Sequence, residues 1–483
     1  MIVAFCSAVC LTAISTECFR VLQAAAYRPV RCCKYFVGWH FVLLAICQGV
    51  EIALFVFRLP QWIAVLPLLS VGVATVFVRR KCTLKYTPRV VRMLLVFAAL
   101  SVGLCAATVW FGVVFVPVLT IVSWAVMLPV EWKINQRYIN LATNKLQHSG
   151  VTVVAVVGSY GKTGVKNMLT ELLDNACCPG GNVNTPLGIA RYINGAELHC
   201  KYLVLEFGAR QVGDIAELCR LYRPTYGIVV GVCPQHIATF GSLDNIVKEK
   251  SSLLDWLPEN GVCVLNGADE IVRDWTKGVC RKVVSGTSLT IEVTSLDMTG
   301  QQLTVCDKQG DCYNVKLPQI ADYAPDTFAI CAEMCLALGQ PLERVVVNSA
   351  RITQTPHRME VRQANGFFIV DDSYNAGIKG VENSCQTLAE FDCNRVVVAQ
   401  GIVEGGKQAR QLNVRCGQLL GGVFHVAVLC GQNSRYLAEG LRDTCTTVLY
   451  ADSLADATDK ALRYIGKGDI LYYQNDLPDL PIL

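Results

Sequence analysis

The sequence predicts an α/β protein: an N-terminal transmembrane helical region, a P-loop-type central domain and a Rossmann-like C-terminal domain. Three observations predict it. The apolar excess of the chain is gathered in its first 130 residues. A valine-rich strand then runs into a glycine turn and Gly-Lys-Thr at 151–163. From there to the end, short apolar runs alternate with helical patterns, the signature of mostly parallel sheets covered on both faces. The boundaries expected are 1–132 for the membrane part, 133–150 for a linker helix, and 151–354 and 355–483 for the two α/β domains.

Five spans fit the first region: 2–22, 36–57, 62–78, and a tract at 93–130 that is long enough for two crossings joined near 110–112. Four is the alternative count, and a signal peptide is the rival for the first run, which lacks a basic residue ahead of it. Lys and Arg follow the first span (Arg28, Arg31, Lys34), the third (Arg79, Arg80, Lys81) and the last (Lys133, Arg137, Lys145). The positive-inside rule then puts the N-terminus outside and everything after 130 in the cytoplasm, as part of a multi-pass cell-membrane protein. Glu51, within the second span, reads either as a functional carboxylate or as one with no visible partner.

Composition excludes some functions. A net charge of +4 without a basic-aromatic stripe gives no reason to expect nucleic acid. The 24 cysteines contain no C-x-x-C, so zinc and a disulfide framework are set aside in favour of buried free thiols in a reducing compartment.

The stretch VTVVAVVGSYGKT reads as strand, loop and helix start. Backbone N–H groups of Gly158, Ser159, Tyr160, Gly161 and Gly164 and the positive end of the following helix make an anion site. Lys162 would reach the outer phosphates, and the Thr163 hydroxyl would bind Mg²⁺. The strict G-x-x-x-x-G-K-[ST] spacing fails, because Val156 stands five before Gly161. Further strands are expected at 202–207, 226–232 and 261–265, with helices at 164–176, 214–221 and 243–257. Ligands in such sheets bind beyond the C-terminal strand ends, where Glu206, His236 and Asn266 stand. Each has a plain reading: a solvated strand end, a loop histidine, a turn residue. Together beside a phosphate loop they form a metal and nucleotide constellation.

GSYGKT, NVNTPLGIAR (182–191), LEFGARQVGDIAEL (205–218) and CPQHIATFGSLDNIVKEKSSL (233–253) resemble the Mur ligases. TPHRME (355–360), DDSYNAG (371–377), QGIVEGG (400–406) and QNDLPD (474–479) continue the resemblance through a second doubly wound pattern, so it covers about 151 to 483. It implies a central ATPase domain and a C-terminal ligase domain that form an amide from ATP, an acid and an amine through an acyl phosphate. The branch it most resembles adds D-alanyl-D-alanine to a muramoyl-tripeptide; folate-type polyglutamylation fits these motifs less well. ATP and Mg²⁺ are the cofactors implied. Lys162, His236, Lys250 and Arg358 would be catalytic. Thr163, Glu206, His236 and a carbamylated Lys250 would hold metal, with Lys248 the only near rival to Lys250. Asn266 would meet the adenine and Asp372 the ribose, with Arg358 on the nucleotide. Asn184, Thr185 and Pro186 would approach the acid, and Tyr374 and Asn375 the closed interface.

Some positions depart from the family pattern. Ala155, Val157 and Gly164 replace the usual residues around the phosphate loop, and Asp322 and Asp326 stand where His and Asn are usual. The usual N-terminal UDP-sugar domain is replaced by apolar spans, so membrane lipid and wall-synthesis proteins join a muramoyl-peptide and a D-amino acid or dipeptide as expected partners. A lipid-linked acid, or a membrane-tethered scaffold without catalysis, are the alternatives.

Overall fold

The computed structural model describes residues 2–24, 27, 84–107, 116–233, 240–374, 377–403 and 408–474. The chain divides into two units, Met1–Arg137 with Asp479–Leu483, and Tyr138–Pro478.

The first unit contains helices α1 (Ile2–Ala24) and α2 (Pro88–Ala107), and α3 (Val116–Ser149) begins in it. Leu11, Phe19, Met93, Phe97 and Met127 share one core, with Phe19 edge-on to Phe97 at 5.9 Å. Arg92 of α2 donates to Glu131 of α3 at 2.5 and 2.8 Å. On the other face of α3 Val118, Val126 and Trp132 are 52%, 50% and 62% exposed. Among the described residues α3 is the helix long and apolar enough to cross a membrane. The expected spans at 36–57 and 62–78, Glu51, and the join near 110–112 lie outside the described residues. The expected linker helix is the C-terminal part of α3, continuous with the apolar part ahead of it despite Pro129.

The second unit opens with β1 (Thr152–Val157). Its run of β-branched residues is apolar on both faces because both are covered: Val153, Ala155 and Val157 enter one core, Val154 and Val156 the other. There follow α4 (Lys162–Leu172), β2 (Ala176–Cys177), α5 (Pro186–Gly195), β3 (Tyr202–Glu206) and α6 (Asp214–Tyr222). Then come β4 (Tyr226–Val229), α7 (Leu243–Trp256), β5 (Val262–Leu265) and β6 (Arg281–Val284). The strands form a parallel sheet in the order β2-β3-β1-β4-β5-β6. From β1 the chain crosses to the β2 edge, returns to β3 beside β1, and then builds outward on the other side through β4, β5 and β6, so the topological switch lies between β1 and β4, where such sheets bind ligands.

An antiparallel meander of β7 (Leu289–Asp297), β8 (Gly300–Asp307) and β9 (Cys312–Leu317) comes next, then α8 (Ala324–Ala337) and α9 (Leu342–Ser349). Its first strand shows the polar–apolar alternation of a half-exposed sheet.

The C-terminal part contains β10 (Glu360–Ala364), β11 (Phe367–Asp372), α10 (Ile378–Ala389), β12 (Arg395–Ala399), α11 (Ala409–Gly421) and β13 (Val426–Cys430). It ends with α12 (Ser434–Leu441), β14 (Thr447–Ala451), α13 (Leu454–Ala461) and β15 (Ile470–Gln474). The sheet order is β10-β11-β15-β12-β13-β14, parallel except for the β10 edge, which runs antiparallel to β11. Inserting β15 between β11 and β12 brings Asp372 and Gln474 level at one end.

One expectation is corrected. Cys177 is disulfide-bonded to Cys200, and Cys306 to Cys312. Strand pairing explains why spacing hid them: Cys306 and Cys312 are opposite partners in β8 and β9, and Cys177 lies on the strand beside the start of β3. Cys219, Cys263, Cys331 and Cys385 remain buried thiols, and burial pushes Cys219 and Cys385 up to about 12.

Candidate functional site

The glycine loop leaves β1 at the switch point. Gly161 has φ 71°, and a Cβ there would come 2.9 Å from the Val230 side chain, so both conformation and space call for glycine. It is also the N-cap of α4 and carries no side-chain cap bond, which leaves the first N–H groups of the helix for an anion. Ser159 N donates to Gly231 O at 2.8 Å, tying the loop to the segment after β4. Gly158 sits where a Cβ would be 3.1 Å from Val230. Lys162 is half-buried and donates to Gly158 O at 2.8 Å, so its ammonium lies over the loop it would share with phosphates. Burial lowers its pKa and Arg358 adds to the lowering, while Glu206 opposes it. Thr163 is the second residue of α4, and Gly164 the third.

Tyr160 turns inward. Its hydroxyl donates to Asp269 Oδ2 at 2.8 Å, and Asp269 also accepts from the N–H groups of Val232, Ile271 and Val272. The phosphate loop is thereby joined to the loop that carries Asn266. A Cβ on Gly231 would strike the Tyr160 hydroxyl at 2.2 Å, which fixes that glycine. Asn266 is buried and donates to Val230 O at 2.7 Å, while its Oδ1 accepts from Ala268 N. Its side chain therefore shapes the loop expected to meet a base.

Glu206 ends β3 with 1% exposure, and its Oε1 has no hydrogen-bond partner among the described residues. A buried carboxylate oxygen that accepts no hydrogen bond is a donor a hard divalent cation takes, so the residue fits magnesium. Its neighbour at 3.5 Å is the ammonium of Lys166, a residue absent from the sequence-based site. On α7 the two rival lysines separate: Lys248 is exposed, whereas Lys250 is 3% exposed. Burial, and then Lys162, push Lys250 down to about 7, against the pull of Glu249 and Asp214. Glu249 accepts from Gly213 N and Ile215 N, both at 2.7 Å, and so caps α6; sequence carried no signal for this. His236 lies outside the described residues.

Asn184 accepts at its carbonyl from Gly208 N at 3.0 Å, beside the end of β3. Thr185 is the N-cap of α5 and Pro186 its first residue, so both act first as a helix start. Just before them Asn182 donates to the Tyr374 hydroxyl, a contact between the central and C-terminal parts; the resemblance put Tyr374 at the closed interface, but sequence did not indicate Asn182 as its partner. The Arg358 guanidinium stacks over the Tyr374 ring at 4.4 Å. His357 and Met359, on either side of Arg358, have φ of 59° and 50°, a left-handed turn. His357 Nδ1 bonds Asp371 Oδ2 at 2.8 Å and fixes that turn. Asp372 is buried and accepts from Ser384 Oγ, Tyr472 OH and Met359 N, so its carboxylate is engaged within the C-terminal core. Burial raises its pKa to about 6 against those bonds and the pull of Arg358. Asn375 lies outside the described residues.

Lys162 thus sits within electrostatic reach of Glu206, Arg358 and Lys250, cations around one buried carboxylate at the switch point. Such a ring suits a substrate with several negative charges and a reaction that develops more of them.

Comparison with known proteins agrees with this arrangement. Residues 156–324 match the Mur ligase middle domain, and 357–473 the Mur ligase glutamate ligase domain. The UDP-N-acetylmuramoyl-tripeptide–D-alanyl-D-alanine ligase of Escherichia coli (strain K12) is 28% identical over 55% of this chain and 61% of its own. The protein of that name from Mycobacterium tuberculosis (strain ATCC 25618 / H37Rv) is 30% identical over 51% and 50%. The chain therefore spans half to three fifths of the length of these curated relatives. Among solved structures, MurF from Acinetobacter baumannii has a TM-score of 0.63 at 21% identity, covering 71% of this chain and 77% of its own. MurF ligase from Thermotoga maritima in complex with ADP has a TM-score of 0.63 at 23% identity, covering 71% and 80%. Mycobacterium tuberculosis folylpolyglutamate synthase complexed with ADP shares the fold at a TM-score of 0.54 and 16% identity, over 72% and 95%. The two matched domains together make up more than half of the chain, which belongs through them to the Mur ligase family.

Proposed function

We propose that the protein is an ATP-dependent acid–amine ligase that joins D-alanyl-D-alanine to a muramoyl-tripeptide for peptidoglycan synthesis. The single observation that carries the reading is the group at the switch point: the Gly158–Gly161 loop with Lys162, the buried Glu206 oxygen that accepts no hydrogen bond, and buried Lys250. The D-alanyl-D-alanine-adding ligases that the chain is similar to supply the substrate pair.

In this reading Lys162 and the α4 N-terminus hold the outer phosphates. Arg358 stabilises charge on the γ-phosphoryl group from the C-terminal side. A carboxylate oxygen of the acid attacks the γ-phosphorus and ADP leaves. The amine then attacks the acyl carbon, phosphate departs and the amine loses a proton. Magnesium, held by Thr163, Glu206, His236 and a carbamate on Lys250, would neutralise the phosphates. The carbamate needs a neutral amine, and the lowered pKa of Lys250 supplies one. Tyr374 and Asn182 close the site over the acid and limit water.

We further place the catalytic part on the cytoplasmic side of a membrane. The exposed apolar side chains of α3 support a membrane, and Lys133, Arg137 and Lys145 after the apolar stretch support that side; a second reading has the acid carried on a lipid. Purified protein incubated with ATP and magnesium tests the proposal. Phosphate release should require both the acid and the dipeptide, and a lipid-linked acid should outcompete its UDP-linked counterpart only in the second reading. No turnover and no ATP binding would leave the scaffold reading.

A further inference from the structure

Lys166 lies one helical turn beyond Lys162 on α4 and is fully buried. An ammonium out of water must be fully partnered. It donates to Pro179 O and Gly181 O, both at 2.6 Å, and stands 3.5 Å from Glu206 Oε1. These carbonyls belong to the turn that leads to Asn182, which donates to the Tyr374 hydroxyl. Two residues on, Asn184 accepts from the glycine at the end of β3. The Tyr374 ring carries Arg358. A path of direct contacts therefore runs from the helix behind the phosphate loop, through the 179–182 turn, to the arginine of the C-terminal part.

We propose that Lys166 is a positioning residue for the acid substrate, whose ammonium sets the 179–182 turn so that Asn182 meets Tyr374. The inference rests on the ligase reading above. Lys166 touches no reacting atom; it acts through the turn. Its proximity to Glu206 makes one cation serve both the turn and the carboxylate assigned to magnesium. Removing the charge leaves two buried carbonyls without their donor and frees the turn.

The test uses the full chain and three variants: Lys166→Met, Asn182→Ala and the double substitution. Losing one contact of this kind is expected to raise KM for the acid about tenfold, about 1.4 kcal/mol, in either single variant. KM for ATP should stay within about twofold in Asn182→Ala, which touches neither the phosphate loop nor Glu206, and in Lys166→Met it should rise less than KM for the acid. The double variant should show no further rise, because both changes break one path. Multiplying effects, or equal losses for acid and ATP, would overturn the proposal. If Lys166→Met does not fold, Asn182→Ala and Tyr374→Phe decide: an unchanged KM for the acid in both overturns it. If the wild-type chain makes no amide, the ligase reading falls, and amide hydrogen exchange over 179–184 remains. Exchange about tenfold faster in Lys166→Met than in wild type supports the anchoring, and equal exchange refutes it.

Discussion

Substituting Lys250 with alanine should abolish most activity, and the reason is quantitative. A carbamate forms when a neutral amine attacks carbon dioxide. An ordinary lysine with a pKa near 10.4 is about 0.4% neutral at pH 8. With its pKa lowered to about 7, Lys250 is mostly neutral at the same pH, a gain of about two hundredfold in reactive amine. The cost of holding a cation in that site, at 1.36 kcal/mol per pKa unit, is about 5 kcal/mol. That sum also sets a sign. Between about 7 and the ordinary lysine value the unfolded chain binds the extra proton, so the stability of the uncarbamylated protein rises with pH across that window. Lys250→Ala should remove this slope and lower kcat by about a hundredfold or more, as loss of one group stabilising charge in the transition state does. The assay is phosphate release at saturating ATP, with and without added bicarbonate in carbon-dioxide-depleted buffer. Wild type should lose activity on depletion and recover it with bicarbonate; Lys250→Ala should respond to neither. Full activity of Lys250→Ala would refute the argument, as would a wild type indifferent to carbon dioxide.

Gly161→Ala puts a Cβ into a left-handed turn against Val230; we expect destabilisation of about 1–2 kcal/mol and a clear rise in KM for ATP, read by thermal melting and initial rates. Ordinary stability with unchanged KM would contradict the loop geometry. Asp372 has a raised pKa, so its proton stabilises the fold fully below about 4, and that contribution is lost as pH rises through about 6. Urea unfolding of Asp372→Asn across this range should show a flatter dependence on pH than wild type, and parallel curves would refute the assignment.

How much of this was legible in sequence depends on how local each feature is. The run 151–157 announces a doubly covered strand because every residue is apolar or β-branched, and Gly161 with Lys162 mark the loop that follows. The helix starts at Lys162 and not at 164, since an N-terminal turn with a glycine cap needs no side-chain signal. Partners far apart were invisible. Tyr160 and Asp269 meet across 109 positions, and nothing in either neighbourhood marks the other. Lys166 reads as one more helix lysine until the fold brings Pro179, Gly181 and Glu206 around it. Nothing in sequence marks Glu249 beside Lys250, yet it caps the start of α6, with bonds spanning 36 and 34 positions. The family resemblance assigns Asp372 to the ribose; the fold shows that its carboxylate also accepts from Tyr472 and Ser384, partners that sequence does not mark. The cysteine pairs failed for the same reason, because register across strands is not written in spacing.

In the proposed reaction ATP activates a carboxylate by phosphorylating it. Labelling both carboxylate oxygens of the muramoyl-tripeptide with ¹⁸O and analysing the released phosphate by mass spectrometry tests this step. Activation at the switch-point site predicts one ¹⁸O in the phosphate for each amide formed, with ADP as the nucleotide product. Unlabelled phosphate accompanying amide formation, or AMP in place of ADP, would contradict it.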